Sequence, residues 1–438
     1  MTSMTSIARM AAGMFLLWSC TVAAQEEESE LTPADVGEET APDASSLEGP
    51  PEPEFNLEEL QRNILSMGGR IYQRAEMYGS RRGTETLLRP SIPSLVDLYL
   101  DATQINGMRG YVVGRLAYDA LDPNVTGPTA LLDQLWIRFA IANSVFVTAG
   151  RQQIKWGSSR VWNPTDFLQK PNPRPLEALD QRLGVDMVKV NIPWQELNAN
   201  LWLIATADLN GPAEHRLRYG GAVRAEMALG PSELAASAAF REGRRPRFGL
   251  DWSMGAGPLD LNAELALLQD GEVGLWERTA EGFRARDFGG PKLLASGGVS
   301  TQFRFADVYR AGLNFEGFYN GLGYDDPAYL TWLYSTGDYR PLFFGRAYAL
   351  GQLSFSRRSL YVPTLTFTTL MNVTDQSFLT RMDFTFVPVS EVVVSAYVEA
   401  PFGKRGSEFQ FEPDPTVAPL PATDLGFFHA GLSLQMRM

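Results

Sequence analysis

The sequence predicts an all-β protein, a transmembrane antiparallel up-and-down β-barrel of about 16 to 18 strands, with a disordered acidic tail at its N-terminus. Three observations favour this class. Many segments alternate apolar and charged side chains, aromatic residues recur near the ends of those segments, and short turns alternate with much longer links. The chain has 438 residues. Residues 56 to 438 supply the barrel if each strand with its link takes about 21 to 24 residues.

Residues 1 to 24 are predicted to be a signal peptide. Arg9 supplies the positive charge, residues 10 to 18 form an apolar core, and Val22-Ala23-Ala24 offers small residues for cleavage. Residues 17 to 20 also resemble a bacterial lipobox, which would make Cys20 a lipidation site. Because Cys20 is the only cysteine, cleavage after Ala24 would leave a mature chain without disulfides or thiolate metal ligands.

Residues 25 to 55 form a strongly acidic segment, with 11 Asp and Glu residues and no Lys or Arg. A segment with this charge and so few apolar residues cannot bury enough surface to order itself, so a disordered tail is predicted. It would serve as a solubilising leader or as a docking arm for a periplasmic export partner. Residues 56 to 64 have the spacing of a short helix, which would plug a barrel end or fray.

Alternation with a period of two dominates the rest of the chain, as in a strand with two unlike faces. In 131 to 141, for example, Leu135, Ile137 and Phe139 share one face. Such strands are typical of a barrel with lipid outside and water inside, but a soluble secreted β-sandwich would show the same alternation with its apolar face buried. The segments with this pattern are 67 to 77, 108 to 119, 131 to 141, 259 to 268, 292 to 305, 307 to 319, 378 to 386 and 392 to 399.

The links between segments differ in length, as periplasmic turns and extracellular loops do. Short turns are predicted at Asp122-Pro123-Asn124 and at Val387-Pro388-Val389-Ser390. The long links are 157 to 183, 269 to 290, 320 to 341 and 403 to 423.

The chain ends in an alternating segment, Phe428 to Met438, whose apolar residues share one face up to the last residue. This segment resembles the closing strand of bacterial outer-membrane proteins, which carries the signal for the barrel assembly machinery. Met438 stands where those proteins usually have Phe.

The stretch from Ala149 to Asp186 begins and ends as a strand and holds four prolines, which interrupt any ladder or helix between them. A link of this length needs a function. It is interpreted either as a surface loop pinned by its aromatic residues or as a loop folded into a pore. The residues predicted to anchor it are Trp162, Asn163, Pro164 and Asp166.

Three blocks of this stretch carry a family resemblance: Gly-Arg-Gln-Gln-Ile-Lys-Trp-Gly from Gly150 to Gly157, Asn-Pro-Thr-Asp from Asn163 to Asp166, and Arg-Leu-Gly-Val-Asp from Arg182 to Asp186. They resemble outer-membrane barrel proteins of domain-of-unknown-function type and, more loosely, the alginate-export and other polysaccharide-export barrels. The resemblance implies a monomeric porin-like barrel with a constricted lumen in the outer membrane of a Gram-negative bacterium.

Arginine accounts for 33 of the 38 basic residues. The base composition of a GC-rich genome would suffice to explain this, but many arginines fall on the face predicted to line the lumen, where a guanidinium can bind anions or hydroxyl groups. Arg224 and Arg304 share that face, and acids on it would neutralise much of the charge. The candidates for the lumen or its constriction are Arg70, Arg74, Arg109, Arg115, Arg138, Arg151, Trp156, Arg310, Arg346 and Arg381.

The residues that usually carry catalysis or bind metal are sparse. The chain has 2 histidines, and no His, Cys or carboxylate cluster has metal-ligand spacing. His429 and Ser433 share the polar face of the last strand, but no third residue completes a triad. We therefore expect no enzyme, no cofactor and no nucleic-acid partner.

The first hypothesis for function is a passive outer-membrane pore for a hydrophilic solute, with saccharide or anionic polysaccharide as cargo and a possible role as the export channel of an exopolysaccharide pathway. The second is a plugged structural or adhesin-type barrel that binds a partner through its loops or its acidic tail. Outer-membrane lipid and the barrel assembly machinery are expected partners in both cases.

Overall fold

The computed structural model describes residues 65–82, 84–103, 107–122, 125–142, 144–168, 170–171, 182–207, 219–271, 274–357, 361–418, 420 and 425–438. The predicted signal peptide, the Cys20 alternative, the acidic tail and the short helix at 56 to 64 lie outside these residues.

The described residues form 23 β-strands and an α-helix, α1 (Ala328–Thr336). The strands are β1 (Leu65–Arg82), β2 (Glu85–Ser91), β3 (Pro93–Thr103), β4 (Arg109–Asp119), β5 (Thr129–Ile141), β6 (Val145–Gln152), β7 (Lys170–Pro171), β8 (Arg182–Leu183), β9 (Val185–Trp194), β10 (Ala199–Ala207), β11 (Tyr219–Leu229), β12 (Ser232–Arg241), β13 (Arg247–Ala256), β14 (Leu259–Leu268), β15 (Leu275–Thr279), β16 (Gly282–Arg286), β17 (Lys292–Phe305), β18 (Tyr309–Asn320), β19 (Ala347–Arg357), β20 (Thr364–Asn372), β21 (Ser377–Val389), β22 (Val392–Phe402) and β23 (Leu425–Arg437).

One antiparallel sheet of 19 strands contains all but the small pairs β7–β8 and β15–β16. Successive strands of this sheet pair with each other except β2 and β3, which both pair with β1, and β1 also pairs with β23, so the sheet closes into a barrel. Strands β2 and β3 follow one another along β1 in one register, with a break at Ile92. Counted as one wall position, they give the described barrel 18 strands, which confirms the predicted fold class.

The closing seam between β1 and β23 is paired up to the last residue of the chain. The Gly69 N–H donates to the Met438 carbonyl at 3.0 Å, and the Met438 N–H donates to the Gly69 carbonyl at 2.9 Å. Because lipid offers no hydrogen bonds to unpaired backbone groups, this seam satisfies the two edges that an open sheet would expose.

The two ends of the barrel differ in their links. At one end, called here the short-turn end, the strands join through brief turns such as 142–144, 230–231 and 390–391, and both β1 and β23 have their free ends there. The opposite long-loop end carries the described parts of 153–184, 269–291, 321–346 and 403–424.

The link at Asp122 corrects one prediction. Strand β4 runs towards the long-loop end, so the 120–128 link lies among the long loops and is not one of the turns at the opposite end. The prediction was wrong because it was based on the small number of residues in the link. The end of the barrel at which a link lies depends instead on whether an odd or an even number of strands precedes it. The link predicted at Val387 to Ser390 lies at the short-turn end, but Val387 and Val389 belong to the bulged end of β21 and the turn itself is at 390–391.

The outward face of the wall is apolar. Leu135, Ile137 and Phe384 are exposed by 48%, 50% and 46%, whereas Arg381 and Asp383, on the opposite face of the strand that carries Phe384, are buried. A soluble sandwich would bury these apolar side chains, so that alternative is wrong. An outward apolar band around a polar interior is the arrangement that a lipid bilayer stabilises.

The helix α1 belongs to a compact layer over the long-loop end. Gly337, with φ +78°, ends the helix by donating its N–H to the Leu333 carbonyl. Leu330, Leu333 and Tyr334 pack with Phe411 from the 403–424 loop and with other apolar residues of the loops. No helix among the described residues has the length and the apolar run needed to cross a bilayer.

Candidate functional site

The inner face of the barrel is lined with charged side chains that pair with one another. Asp97 on β3 accepts hydrogen bonds from Arg70 at 2.7 Å and from Arg115 at 2.7 and 3.1 Å. Arg115 also lies 3.9 Å from Asp133, which is buried at a bulge between β4 and β5. A single carboxylate thus balances two of the predicted luminal arginines.

A second buried network lies at the closing seam. Glu76 forms an ion pair with Arg74 at 2.7 Å and accepts a hydrogen bond from the Tyr397 hydroxyl at 2.9 Å. His429 Nε2 lies 2.8 Å from that hydroxyl and 3.3 Å from Glu76, and its ring stacks on Tyr78 with centroids 4.0 Å apart. These contacts hold β1, β22 and β23 together from the inside.

Arg381 extends this network along β21 and β22. Its guanidinium donates to Asp383 at 2.7 to 2.9 Å and lies 3.7 Å from Glu399. The same group lies 4.0 Å from the ring centroid of Tyr397, within the range of a cation–π contact.

A third network lies on β10 to β13. Arg224 donates two hydrogen bonds of 2.6 Å to Asp251 and one of 2.5 Å to Glu226. The indole of Trp202 donates to the other oxygen of Glu226 at 2.8 Å. The planar guanidinium therefore reaches across β12 and joins β11 to β13 in the bidentate geometry that arginine favours.

The loop that follows β6 folds into this lumen. Trp156 is buried against inward-facing residues of the wall, among them Met187 and Ile204. The guanidinium of Arg224 lies 5.6 Å from its ring centroid. The loop therefore contacts the wall from inside, as in the second of the two interpretations of this stretch.

Glu264 on β14 holds the next part of the loop. Its carboxylate accepts hydrogen bonds from the Ser159 N–H at 2.7 Å, the Thr165 N–H at 3.2 Å and the Thr165 hydroxyl at 2.7 Å. At Gly157, with φ +89°, a Cβ atom would lie 2.5 Å from a carboxylate oxygen of Glu264. Only glycine allows the loop to approach this closely.

Glu316 on β18 holds the following residues in the same way. Its two oxygens accept the backbone N–H groups of Arg160, Val161 and Trp162 at 2.7 to 3.2 Å. Hydrogen bonds to a charged acceptor are stronger than neutral ones. Two wall carboxylates thus satisfy backbone N–H groups of residues 159–165, which belong to no strand or helix.

The predicted anchor residues lie close together at this point. Trp162 is 1% exposed, stacks on Phe318 with centroids 5.5 Å apart, and donates its indole N–H to the Leu342 carbonyl at 3.3 Å. The next four residues form a turn in which the Asp166 N–H donates to the Asn163 carbonyl at 3.1 Å, and Pro164 lies within it.

Asp166 fastens the turn to the end of the loop. It accepts a hydrogen bond of 2.5 Å from Arg182, whose guanidinium also donates to the Ile154 carbonyl at 2.8 Å. Burial raises the pKa of the Asp166 carboxyl to about 6, although the positive charge of Arg182 opposes the shift. The described parts of the loop are therefore tied to each other as well as to the wall.

Most of the arginines proposed for the lumen lie at strand positions whose side chains face inward. Arg109 pairs with Asp101, Arg138 donates to the Thr148 hydroxyl at 3.3 Å, and Arg310 lies opposite Arg304 in the β17–β18 register. Arg346 precedes β19 at the long-loop end, where its exposed side chain pairs with Asp325 at 2.9 Å.

Arg151 lies at a strand position whose side chain faces outward. It is in register with Leu135, an exposed apolar residue of the outer face, and it pairs with Asp186 at 2.7 and 2.8 Å. Gly150, with φ +126°, does not turn Arg151 inward. Trp156, four residues after Gln152, is the residue of this segment that reaches the lumen.

The sequence pattern does not mark the two carboxylates that hold the loop. Alternation places Glu264 and Glu316 among the acids of the luminal face, but it does not show that they accept backbone hydrogen bonds from the loop. Nor does it mark Lys155 and Arg160, whose side chains are exposed on a loop otherwise packed inside the lumen. No carboxylate pairs with either of them among the described residues. No local pattern marks such roles, because each depends on a residue about 100 or more positions away.

The described residues contain no group of three His, Cys, Asp or Glu side chains placed to hold a metal ion. His429 contacts Glu76 and Tyr397 on neighbouring strands, while Ser433 lies opposite Arg74 in the β1–β23 register. The absence of catalytic activity stays a prediction.

No protein-family model matches the chain, and no curated protein matches it. Among solved structures it is similar to Acinetobacter baumannii OccAB1, with 9% identity, a TM-score of 0.54, and coverage of 86% of this chain and 97% of that one. An engineered triple mutant of Rhodopseudomonas blastica porin matches with 12% identity and a TM-score of 0.41 over 86% of this chain and 100% of that one. The likeness to OccAB1 is one of fold. The closed wall, apolar outer band, polar interior and inward loop define a porin-like transmembrane barrel.

Proposed function

We propose that the protein is a passive pore for hydrophilic solutes in the outer membrane of a Gram-negative bacterium. The observation that carries this proposal is the loop held inside the lumen by Glu264 and Glu316. A structural barrel gains nothing from a polar interior crossed by a fastened loop, whereas a pore needs a constriction of defined shape and charge. Lys155 and Arg160 supply positive charge at that constriction.

The wall charges support broad rather than strongly anionic selectivity. Asp97, Glu76 and Asp251 are each paired with arginine, so most of the luminal charge is neutralised in place. Saccharide stays the proposed cargo, because paired charges offer donors and acceptors to hydroxyl groups. Export of an anionic polysaccharide is the narrower proposal, and a periplasmic partner would be required for it.

The layer at the long-loop end supports the second candidate, a plugged barrel that binds a partner. Glu408 in the 403–424 loop is buried and accepts hydrogen bonds from Tyr348 at 2.6 Å, Asn372 at 2.7 Å and the Leu342 N–H at 3.0 Å. It joins two long loops and the wall beneath them. A layer held this firmly would close the barrel if it covered the whole opening.

Single-channel recording in planar bilayers tests the pore. We expect stepwise currents from the wild type, and larger and noisier currents from the double variant Glu264→Gln/Glu316→Gln, because a neutral amide is a weaker acceptor and leaves the loop less firmly held. Glu277→Gln, at a half-buried carboxylate of the β15–β16 hairpin, is the matched control and should behave like the wild type.

Absence of current from both the wild type and the double variant would contradict the pore and favour the plugged barrel. Polysaccharide export has its own readout in the same bilayers: a soluble anionic polymer should block the current when added at the short-turn side. An open channel that the polymer leaves unchanged would contradict that narrower proposal alone.

A further inference from the structure

We propose that the half of the lumen nearest the short turns contains a binding subsite for a neutral saccharide. It is formed by an aromatic strip, defined as Tyr99, Tyr111, Trp136 and Trp202. This inference rests on the proposed pore, and it identifies both a class of solute and the residues that would contact it.

Three of these rings lie on successive strands, and all four face inward. The centroids of Tyr99 on β3 and Tyr111 on β4 are 6.2 Å apart, and those of Tyr111 and Trp136 on β5 are 5.3 Å apart. Trp202 continues the strip on β10, beyond β6 and β9. All four side chains are half-buried. Because they face inward, their exposed surface is not on the face of the wall that would contact lipid. Their remaining surface therefore meets the water of the lumen, where an apolar ring face can be covered by a solute.

Hydrogen-bonding groups of both kinds border these rings. The guanidinium groups of Arg138 and Arg109 lie 5.2 and 5.8 Å from the Trp136 ring centroid, and the Lys189 ammonium lies 5.2 Å from that of Trp202. Acceptors stand beside them, because Arg109 is paired with Asp101 and Trp202 donates to Glu226 at 2.8 Å.

This mixture favours a polyhydroxyl solute over an anion. A sugar hydroxyl both donates and accepts, so it can bond a carboxylate on one side and a guanidinium on the other. A site for an anion would exclude carboxylates from its border, whereas Asp101 and Glu226 stand within this one. The carbon face of a pyranose ring supplies the apolar surface that the aromatic rings can cover.

Two glycines leave room along the wall. A Cβ at Gly68 would lie 2.5 Å from the Tyr99 hydroxyl, so the absence of a side chain lets that ring lie against β1. Gly150 faces Trp136 across the β5–β6 pair and adds no side chain next to the indole. A ring-shaped solute can therefore approach Trp136 along the wall.

The test uses maltotriose as the probe and the full-length protein in two assays: block of single-channel current in bilayers, and calorimetric binding in detergent micelles. We expect maltotriose to block the wild-type current and to bind in micelles. Trp136→Leu and Arg138→Gln should each weaken the binding by about fivefold to tenfold, the loss expected for one aromatic or charged contact.

Two matched controls separate these contacts from general effects. Trp194→Leu removes a tryptophan from the outward face at the same end of the barrel, where it is 59% exposed. Arg310→Gln removes a luminal arginine on β18, far around the wall from the strip. Both controls should bind maltotriose like the wild type, and heat-modifiable gel mobility should show that all four variants are folded.

The outcomes distinguish the subsite from the pore. An open channel that maltotriose neither blocks nor binds would overturn the subsite and leave the pore intact. Tighter binding of trigalacturonate than of maltotriose would also overturn it, because the site would then be anionic. Trp136-dependent binding in micelles without any current would support the subsite while the pore proposal fails.

Discussion

At the scale of the residue, the interior is defined by how its charges are paired. Asp97 forms ion pairs with two arginines, and Glu76 forms an ion pair with Arg74 and accepts a hydrogen bond from a tyrosine. Glu264 and Glu316 accept hydrogen bonds from backbone N–H groups. Charges withdrawn from water are costly unless a partner compensates for them. The luminal charges that remain exposed, such as Lys155 and Arg160, are consequently the ones that a solute can meet.

Arg224 provides a test of this pairing. Arg224→Gln would leave Asp251 buried without its bidentate partner, and we expect the free energy of unfolding to fall by about 3 to 5 kcal/mol. Urea unfolding in detergent micelles, followed by tryptophan fluorescence, measures the change.

The control is Arg284→Gln, which removes an exposed ion pair with Glu277 in the β15–β16 hairpin. Exposed pairs contribute about 0 to 1 kcal/mol, so this variant should unfold close to the wild type. Equal decreases in the free energy of unfolding for the two variants would show that the ion pair inside the barrel contributes no more than an exposed one.

At the scale of the element, the loops of the long-loop end behave as two structures. The loop after β6 enters the lumen and is fastened to β14 and β18. The 321–346 and 403–424 loops form a layer above it, with α1 in one and Glu408 in the other. In the proposed pore, the first would form the constriction and the second would lie over it.

Glu408 is expected to make the upper layer sensitive to pH. Burial raises the pKa of this carboxyl from its usual value of 4.5 to about 7, so the folded layer favours the neutral form. A raised pKa contributes stability that is fully present below pH 4.5 and is lost as the pH rises through about 7. We therefore expect the backbone of 321–346 and 403–418 to be better protected from hydrogen exchange at pH 5 than at pH 8.

The measurement is hydrogen exchange expressed as protection factors, which removes the intrinsic effect of pH. Glu408→Gln, neutral at both values, should abolish the difference. Glu412→Gln, at an exposed carboxylate of the same loop, should retain it. A wild type with equal protection at both values would refute the role of Glu408.

At the scale of the whole molecule, closure decides stability. Strand β23 pairs with β22 on one side and with β1 on the other, so its loss would leave two unpaired edges. Each unsatisfied backbone group in lipid costs several kcal/mol. The barrel is therefore expected to form as a unit or not at all.

Deleting 435–438 tests this dependence. These residues pair with the start of β1 and β22, and we expect the truncated chain to be absent from the outer-membrane fraction and to lose its heat-modifiable gel mobility. Deleting 26–54 from the acidic segment is the control and should leave the barrel intact. Normal assembly of the truncated chain would show that the terminal pairs are dispensable, and Met438→Phe would test the predicted assembly signal separately.

The sequence by itself determined the class of the fold and the orientation of most strands. Alternation at residues such as Leu135 and Ile137 survives in a single sequence because each wall residue contacts either lipid or water, and the choice repeats with the period of the strand. The same local signals predicted a special loop, since four prolines cannot lie within a barrel strand.

Tertiary structure alone decided where the loop goes and which charges stay free. Arg151 and Trp156 lie in one segment, yet the register of β5, β6 and β9 places the first on the outward face and the packing of the loop places the second in the lumen. Glu264 and Glu316 could not be assigned, because their partners are distant in sequence and are backbone groups, which every residue but proline supplies. Roles of that kind arise only when the wall closes and brings remote strands around one loop.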